Sequence, residues 1–369
     1  MNSWPLLALS GALSTGLAAC GQAAAQDRLQ TAADALAANT AVPAAAVIRA
    51  ECGTVSTAIA GYTRLDGLTP AGADSRFNLG SNAKSMLATV AAMLVESGHI
   101  GWDTSVQASG AFPELTADNP NGAITLRELF SHTGGVATYH TGTALNAVEV
   151  TGPQDSHHRQ FALQALLEDP AGVRGAYAYS NAGPVIAAVM LEHVSQRSWL
   201  DLVQQDLLQG WDLEAGLGEP RPVGASQPVG HYQGPEGLTA YDEVEPEIAP
   251  FLQPSGYIAI TPESYGHYLS HHVCGLQGQD APGLSAESFV TLHTTVHGTP
   301  SALGWARQEV QGELQSFHIG STGAYYAFAL LNDQRAVAVL VNSGSPDAAA
   351  AAQATLLELG TEARPDWGN

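Results

Sequence analysis

Strand-like runs near both termini, helix-prone sequence between them and a closing Ala/Leu helix predict an α+β protein. One sheet is then assembled from the two ends of the chain, and the middle of the chain supplies a helical half. Residues 27–39 are helix-prone and end on Asn39. Residues 43–49 and 55–60 read as two strands about a turn at Glu51, Cys52 and Gly53. From Asn82 to Ser97 the period turns helical, with Met86, Leu87, Val90, Met93 and Leu94 apolar and Gly98 as the stop. Thr125 and Glu128 form a capping box that opens another short helix. Residues 183–208 contain at least one more helix, and 211–250 read as a loop region rich in Gly, Pro and acidic residues. Strand-like runs return at 304–310, 314–319, 325–331 and 336–342, and a helix closes the chain over 347–359.

The 369 residues are 45% hydrophobic and 13% charged, which is enough apolar material for a sizeable core and excludes a disordered chain. The formal net charge of −22 excludes binding to a phosphate backbone, which needs clustered Lys and Arg. Twelve of the 13 basic residues are Arg, so Lys84 is the single lysine.

Residues 4–19 are an apolar run too short and too rich in Gly and Ser for a membrane span, leading into Leu17-Ala-Ala-Cys20. That pattern resembles a bacterial lipoprotein signal over 1–19, cut before a lipid-bearing Cys20, with 20–26 as a tether. Cleavage after Ala23-Ala-Ala25 is the alternative. Either route predicts an exported bacterial protein, membrane-anchored or periplasmic/secreted, with no membrane contact beyond the lipid. Of the three cysteines, lipidation of Cys20 would leave Cys52 and Cys274 as an even pair in an oxidising compartment. Whether those two are close enough to bridge is not readable from the sequence.

Ser81 and Lys84 are three residues apart where a helix begins, so both side chains face the same way. A serine hydroxyl needs a nearby base to act as a nucleophile, and a lysine kept partly neutral by burial supplies one. The helix N-terminus adds N–H groups near a developing oxyanion. The ordinary alternative is a surface Ser and Lys on one helix turn; the apolar surroundings and the uniqueness of the lysine argue against it.

Ser-x-x-Lys is also the nucleophile motif of β-lactamases and penicillin-binding proteins. Tyr179-Ser-Asn181 resembles the Tyr-x-Asn element of class C β-lactamases, and His318-Ile-Gly320 resembles the Lys-Thr-Gly element in its His-x-Gly form. The segment from Ile124 to Gly135 is similar to the family's Leu-Leu-x-His-Thr-Ser-Gly stretch, with Gly134 where Ser is usual, and Ser255-Gly-Tyr-Ile258 resembles its Gly-Gly-Leu turn. The chain is thus similar to the serine β-lactamase and penicillin-binding-protein-like family, in its class C-related branch. The resemblance implies an antiparallel sheet flanked by helices plus an all-helical half, with the site in the cleft between. It covers one domain over 27–362, with the sheet half from 27–78 and 300–362 and the helical half from 79–299. It implies that Ser81 forms an acyl-enzyme and that Lys84 and Tyr179 share the general-base work, in either order. It further implies that Asn181 bonds Lys84 or a substrate amide, that the N–H groups of Ser81 and Ser321 form an oxyanion hole after Gly320, and that His318 lines the cleft.

His267, His271 and Cys274 fall at helical spacing, and His293 and His297 are four apart, but no His-Glu-x-x-His pattern accompanies them. These are read as surface or packing histidines, with no metal, and His132 as a structural histidine beside a capped helix. The expectation is a monomeric serine hydrolase without cofactor, acting on a small acyl substrate such as an ester, small amide or peptide. β-Lactamase or D,D-carboxypeptidase activity is the alternative, and a non-catalytic wall-binding protein of the same fold the second.

Overall fold

Successive side chains of a strand face opposite ways, so a strand apolar at every position must be covered on both sides. The first five residues of the strand Ala44–Glu51, Ala44 to Ile48, form such a run, and all five are buried. The computed structural model describes residues 10–140, 142–218, 227–241, 248–310 and 312–360, without the side chains of 10–22 and 310.

In chain order the strands are Ala44–Glu51 (β1), Thr54–Gly61 (β2), Phe77–Asn78 (β3), Ala215–Leu217 (β4), His231–Gly234 (β5), Gly237–Ala240 (β6), Ile258–Ile260 (β7), Ala306–Val310 (β8), Glu313–Ser321 (β9), Tyr326–Leu331 (β10) and Ala336–Val341 (β11). The α-helices are Ser10–Ala37 (α1), Ala83–Glu96 (α2), Val106–Ser109 (α3), Leu126–Phe130 (α4), Gly142–Asn146 (α5), His157–Leu167 (α6), Ala182–Ser195 (α7), Trp199–Asp201 (α8), Pro262–Leu276 (α9), Ala286–Leu292 (α10) and Pro346–Gly360 (α11).

The main sheet has the order β2-β1-β11-β10-β9-β8, with every pair antiparallel. On one face, Ala45, Val47, Val339 and Val341 meet Leu29, Ala33 and Leu36 of α1 and Ala352 and Leu356 of α11. On the other, Ala46, Ile48, Ala338 and Leu340 join the larger core with Met86, Leu87 and Val90 of α2 and Tyr265 and Leu269 of α9. Helices therefore flank the antiparallel sheet, as expected of the α+β class. Cys52, in the β1–β2 turn, is disulfide-bonded to Cys274 of α9 with an S–S distance of 2.02 Å, which pins the hairpin to a helix 222 residues away.

Two regions depart from the sequence reading. The N-terminal helix is already present at Ser10, the first described residue, rather than confined to residues 27–39, because no proline interrupts the Ala-rich run from there to Pro43. The first nine residues of the expected 1–19 leader, and the side chain of the expected lipid site Cys20, fall outside the described residues. Among the described residues, no helix is long and apolar enough to cross a membrane. Within 211–250, read as loop, β4 joins β7 and β3 in a three-stranded sheet, and β5 pairs with β6. Strands of three or four residues hold too few side chains for a period to show.

Candidate active site

The small β3-β7-β4 sheet anchors the segment that carries Ser81, through Phe77 opposite Ile260 and Asn78 opposite Ala259. The chain then enters a tight helical turn over Gly80–Asn82 that runs straight into α2. Gly80 has φ of 48°, and a Cβ there would lie 2.6 Å from the Ser321 nitrogen. A Cβ on Gly320 would lie 1.9 Å from the Leu79 carbonyl oxygen. Two glycines thus let the end of β9 lie directly on the nucleophile turn, with the Ser321 main chain beside Ser81. Gly304 is a third close approach, since its Cβ would meet Lys84 O at 3.0 Å and Ser85 Cα at 2.9 Å. That contact and its φ of 74° explain why β8 starts at Ala306 and not at the expected residue 304.

Lys84 lies in the first turn of α2, one helical turn beyond Ser81, and is 1% exposed. Its Nζ donates to Ser81 Oγ at 2.9 Å and to the Ser255 carbonyl at 3.0 Å. Tyr179 OH donates to the same Ser81 Oγ at 2.8 Å, and Lys84 Nζ lies 5.3 Å from the centre of the Tyr179 ring. Ser81, Lys84 and Tyr179, 98 residues apart along the chain, therefore meet at one oxygen. Among the described residues no carboxylate pairs with Lys84.

Of the two roles expected of Asn181, the bond to Lys84 is not made. Its Nδ2 donates to the Tyr139 carbonyl at 2.8 Å, and the Ser255 carbonyl accepts from Lys84 instead. The two are coupled, because Ser255 Oγ donates to the Asn181 carbonyl at 2.9 Å. The reason is the fold of residues 137–139, whose carbonyls accept from Ser180 Oγ, Asn181 N and Asn181 Nδ2 in turn. Ser255 was visible in the sequence only as part of a turn motif, since a main-chain acceptor has no side-chain signature.

His318 faces the interior from β9, 6.3 Å from the Trp305 ring, and its Nδ1 donates to the Ile319 carbonyl at 3.1 Å. Burial first, and then the Lys84 charge, push its pKa down to about 3. His132 is held down to about 3 by burial, Lys84 and His318. Both imidazoles are neutral at pH 7, so neither adds a positive charge to the cleft. Val173 and Tyr177 on the segment entering Tyr179, and Ile319 beside His318, are exposed apolar side chains.

Glu128 was read only as a cap, yet it also receives Arg174 through two 2.8 Å bonds that tie down the segment before Tyr179. The histidines at ligand-like spacing diverge: Cys274 is in the disulfide, the His271 ring lies tilted against Trp211, His293 bonds His272 and Ser316, and His297 faces Glu128.

The family model described as Beta-lactamase matches residues 29–361. A curated penicillin-binding protein of Bacillus subtilis (strain 168) is 27% identical over 170 residues, 44% of this chain; the match spans only about a third of that protein, 34% of its length. Among solved structures, a β-lactamase/D-alanine carboxypeptidase from Pseudomonas syringae superposes with a TM-score of 0.72 at 17% identity, over 92% of this chain and 100% of that one. A D-stereospecific amidohydrolase from Streptomyces sp. gives 0.66 at 22% identity, over 87% and 96%. At those identities the two structures speak to the fold alone.

Proposed function

The chain belongs to the β-lactamase family, a family of serine hydrolases, and from that premise we propose that it is an exported acyl hydrolase acting through Ser81. The observation that carries the reading is the meeting of Lys84 Nζ and Tyr179 OH on Ser81 Oγ, at 2.9 and 2.8 Å. A hydroxyl has one proton to give, and an ammonium or a phenol cannot take it. One of the two partners must therefore be deprotonated when Ser81 attacks, and the other then stabilises the attacking oxygen. Ser81 Oγ bonds to the acyl carbon while its proton passes to that base. The oxyanion so formed is held by the N–H groups of Ser81 and Ser321, and the leaving group departs with the proton. Water then cleaves the acyl-enzyme by the same route in reverse.

The substrate we assign is an uncharged ester or small amide. A neutral His318 offers no fixed charge to a substrate carboxylate, and the net charge of −22 opposes anionic ligands. β-Lactam or D-alanyl-peptide hydrolysis is the second reading, favoured by the shared fold with the Pseudomonas enzyme. The Cys52–Cys274 bridge supports export to an oxidising compartment, and labelled fatty acid on Cys20 would test the lipid anchor.

The test is covalent labelling of the full chain with a fluorophosphonate. Wild type is expected to gain one adduct on Ser81 and Ser81→Ala none. A folded Ser81→Ala protein that turns over p-nitrophenyl esters at the wild-type rate would overturn the assignment, and an unlabelled, inactive wild type would favour a binding protein. Comparing kcat/KM for a short-chain p-nitrophenyl ester and a chromogenic cephalosporin then separates the two substrate readings. His318→Lys is expected to move the ratio toward the cephalosporin.

A further inference from the structure

We infer that His132 is the positioning residue that fixes Tyr179 against Ser81, by holding the main chain on both sides of Tyr179 at once. The inference rests on the reading that Tyr179 acts on Ser81. His132 follows α4 and has φ of 56°, in the left-handed region that costs a residue other than Gly of order 1 kcal/mol or more. In that conformation it presents two acceptors to one short stretch of chain. Its carbonyl accepts from Ala178 N at 2.8 Å, and its Nδ1 accepts from Ser180 N at 3.2 Å. Between those two bonds its ring lies on the ring of Tyr179, with centroids 4.6 Å apart, and meets Tyr177 edge-on at 6.3 Å. In extended chain the N–H groups of alternate residues point to one side. One residue bearing two acceptors can therefore grip the residues before and after Tyr179 and leave the phenol facing Ser81.

Packing alone does not require this arrangement. A phenylalanine at 132 would keep the ring contact and the carbonyl but supply no side-chain acceptor for Ser180 N, and it would tolerate the left-handed backbone poorly. The grip needs a neutral imidazole with its proton on Nε2, because a charged imidazole has no acceptor. Burial first, and then Lys84 from α2 and His318 from β9, hold it in that state, and the other groups facing it are the phenols of Tyr177 and Tyr179 from the gripped segment.

The chemistry of the grip selects the variants. In His132→Asn the amide oxygen stands the same number of bonds from the backbone as Nδ1, and Asn accepts left-handed backbone readily. In His132→Gln the oxygen stands one bond further out, in place of Nε2. Gln tolerates the conformation in this chain, as Gln196 at φ of 55° demonstrates. The measurements on the full chain are the fluorophosphonate labelling rate of Ser81, hydrogen exchange of the Ser180 amide, and thermal melting. His132→Asn is expected to label within about threefold of wild type and to keep Ser180 protected. His132→Gln and His132→Phe are expected to label roughly 100-fold more slowly, the loss of one proton-transfer group, with Ser180 exchanging at least about tenfold faster.

Equal labelling by the Asn and Gln variants, or unchanged Ser180 protection in both, would overturn the inference. If the Gln and Phe variants do not fold, the Asn variant decides alone, since a folded His132→Asn that loses labelling and protection also overturns it. A wild-type protein that takes no label defeats the hydrolase reading, while Ser180 exchange still decides the grip.

Discussion

Two neighbouring regions of the molecule are built from opposite materials. Where β1 meets β11, Ala45–Ala50 face Val341–Ala336 over six residue pairs, and Arg49 is the only polar residue among them. A few ångströms of chain away, the cleft buries Asn82, Lys84, His132, Ser180 and His318. Beyond its backbone ladder, the side chains of the sheet are held by area removed from water, which is indifferent to direction. The cleft is held by groups that must each find a partner at a fixed angle, because an unmet polar atom in the interior costs about 1–3 kcal/mol. Damage to the sheet should therefore reach the chemistry only through the folded population, whereas damage to the cleft should reach the chemistry first.

The largest expected break in that contrast is acid. Burial is the leading cause that holds His132, His293 and His318 down to about 3 and His272 well below its usual value. An unfolded chain binds those protons near pH 6.5. The stability tied to the neutral rings is therefore complete above pH 6.5 and drains away as the pH falls toward 3. Urea unfolding followed against pH should show uptake of about four protons from these residues at pH 5. A stability profile flat from pH 7 to 5 would contradict the buried, neutral state of the four rings.

A smaller effect sharpens the sheet side. Leu340→Ala, in the middle of β11, should cost about 2–5 kcal/mol in urea unfolding and leave the labelling rate of the folded protein within about twofold. A large loss of labelling at full folding would show that sheet and cleft are not separable. The smallest effect sits at their border. A Cβ on Gly134 would lie 2.6 Å from Ile124 Cγ2, which accounts for glycine where the family's motif has serine. Gly134→Ser should cost roughly 1–3 kcal/mol by overpacking, and Ile124→Ala in the same chain should recover part of it, as read by thermal melting.

The same contrast explains what could be read in the sequence. The hairpin expected at 43–49 and 55–60 is β1 and β2 to within a residue or two, and the expected 347–359 helix is α11, because apolar periodicity records burial directly. In the cleft, Ser81 and Lys84 were legible because three-residue spacing at a helix start is local geometry. Tyr179 and His318 were placed only through resemblance, since nothing local says that residues 98 and 237 positions from Ser81 return to it. The Ser255 carbonyl, the Tyr139 carbonyl and the two-sided hold of His132 were not legible, because main-chain acceptors and left-handed turns leave little trace in residue type. His132 was read as structural, and its position on Tyr179 is what gives that word a functional content.

The place of β1 in the sheet has a consequence for how the chain is made. β1 lies between β2, which follows it at once, and β11, which pairs Val341 with Ala45 almost 300 residues later. A chain that emerges from its N-terminus shows one edge of an apolar hairpin to its surroundings for most of its synthesis. That edge is covered only when nearly the last strand arrives. Long-range pairings of this kind close slowly, and open strand edges invite pairing with other chains. A nascent chain stopped before residue 336 would thus carry a finished hairpin with no strand to seal it, which makes Ala336–Val341 the lock of the whole sheet.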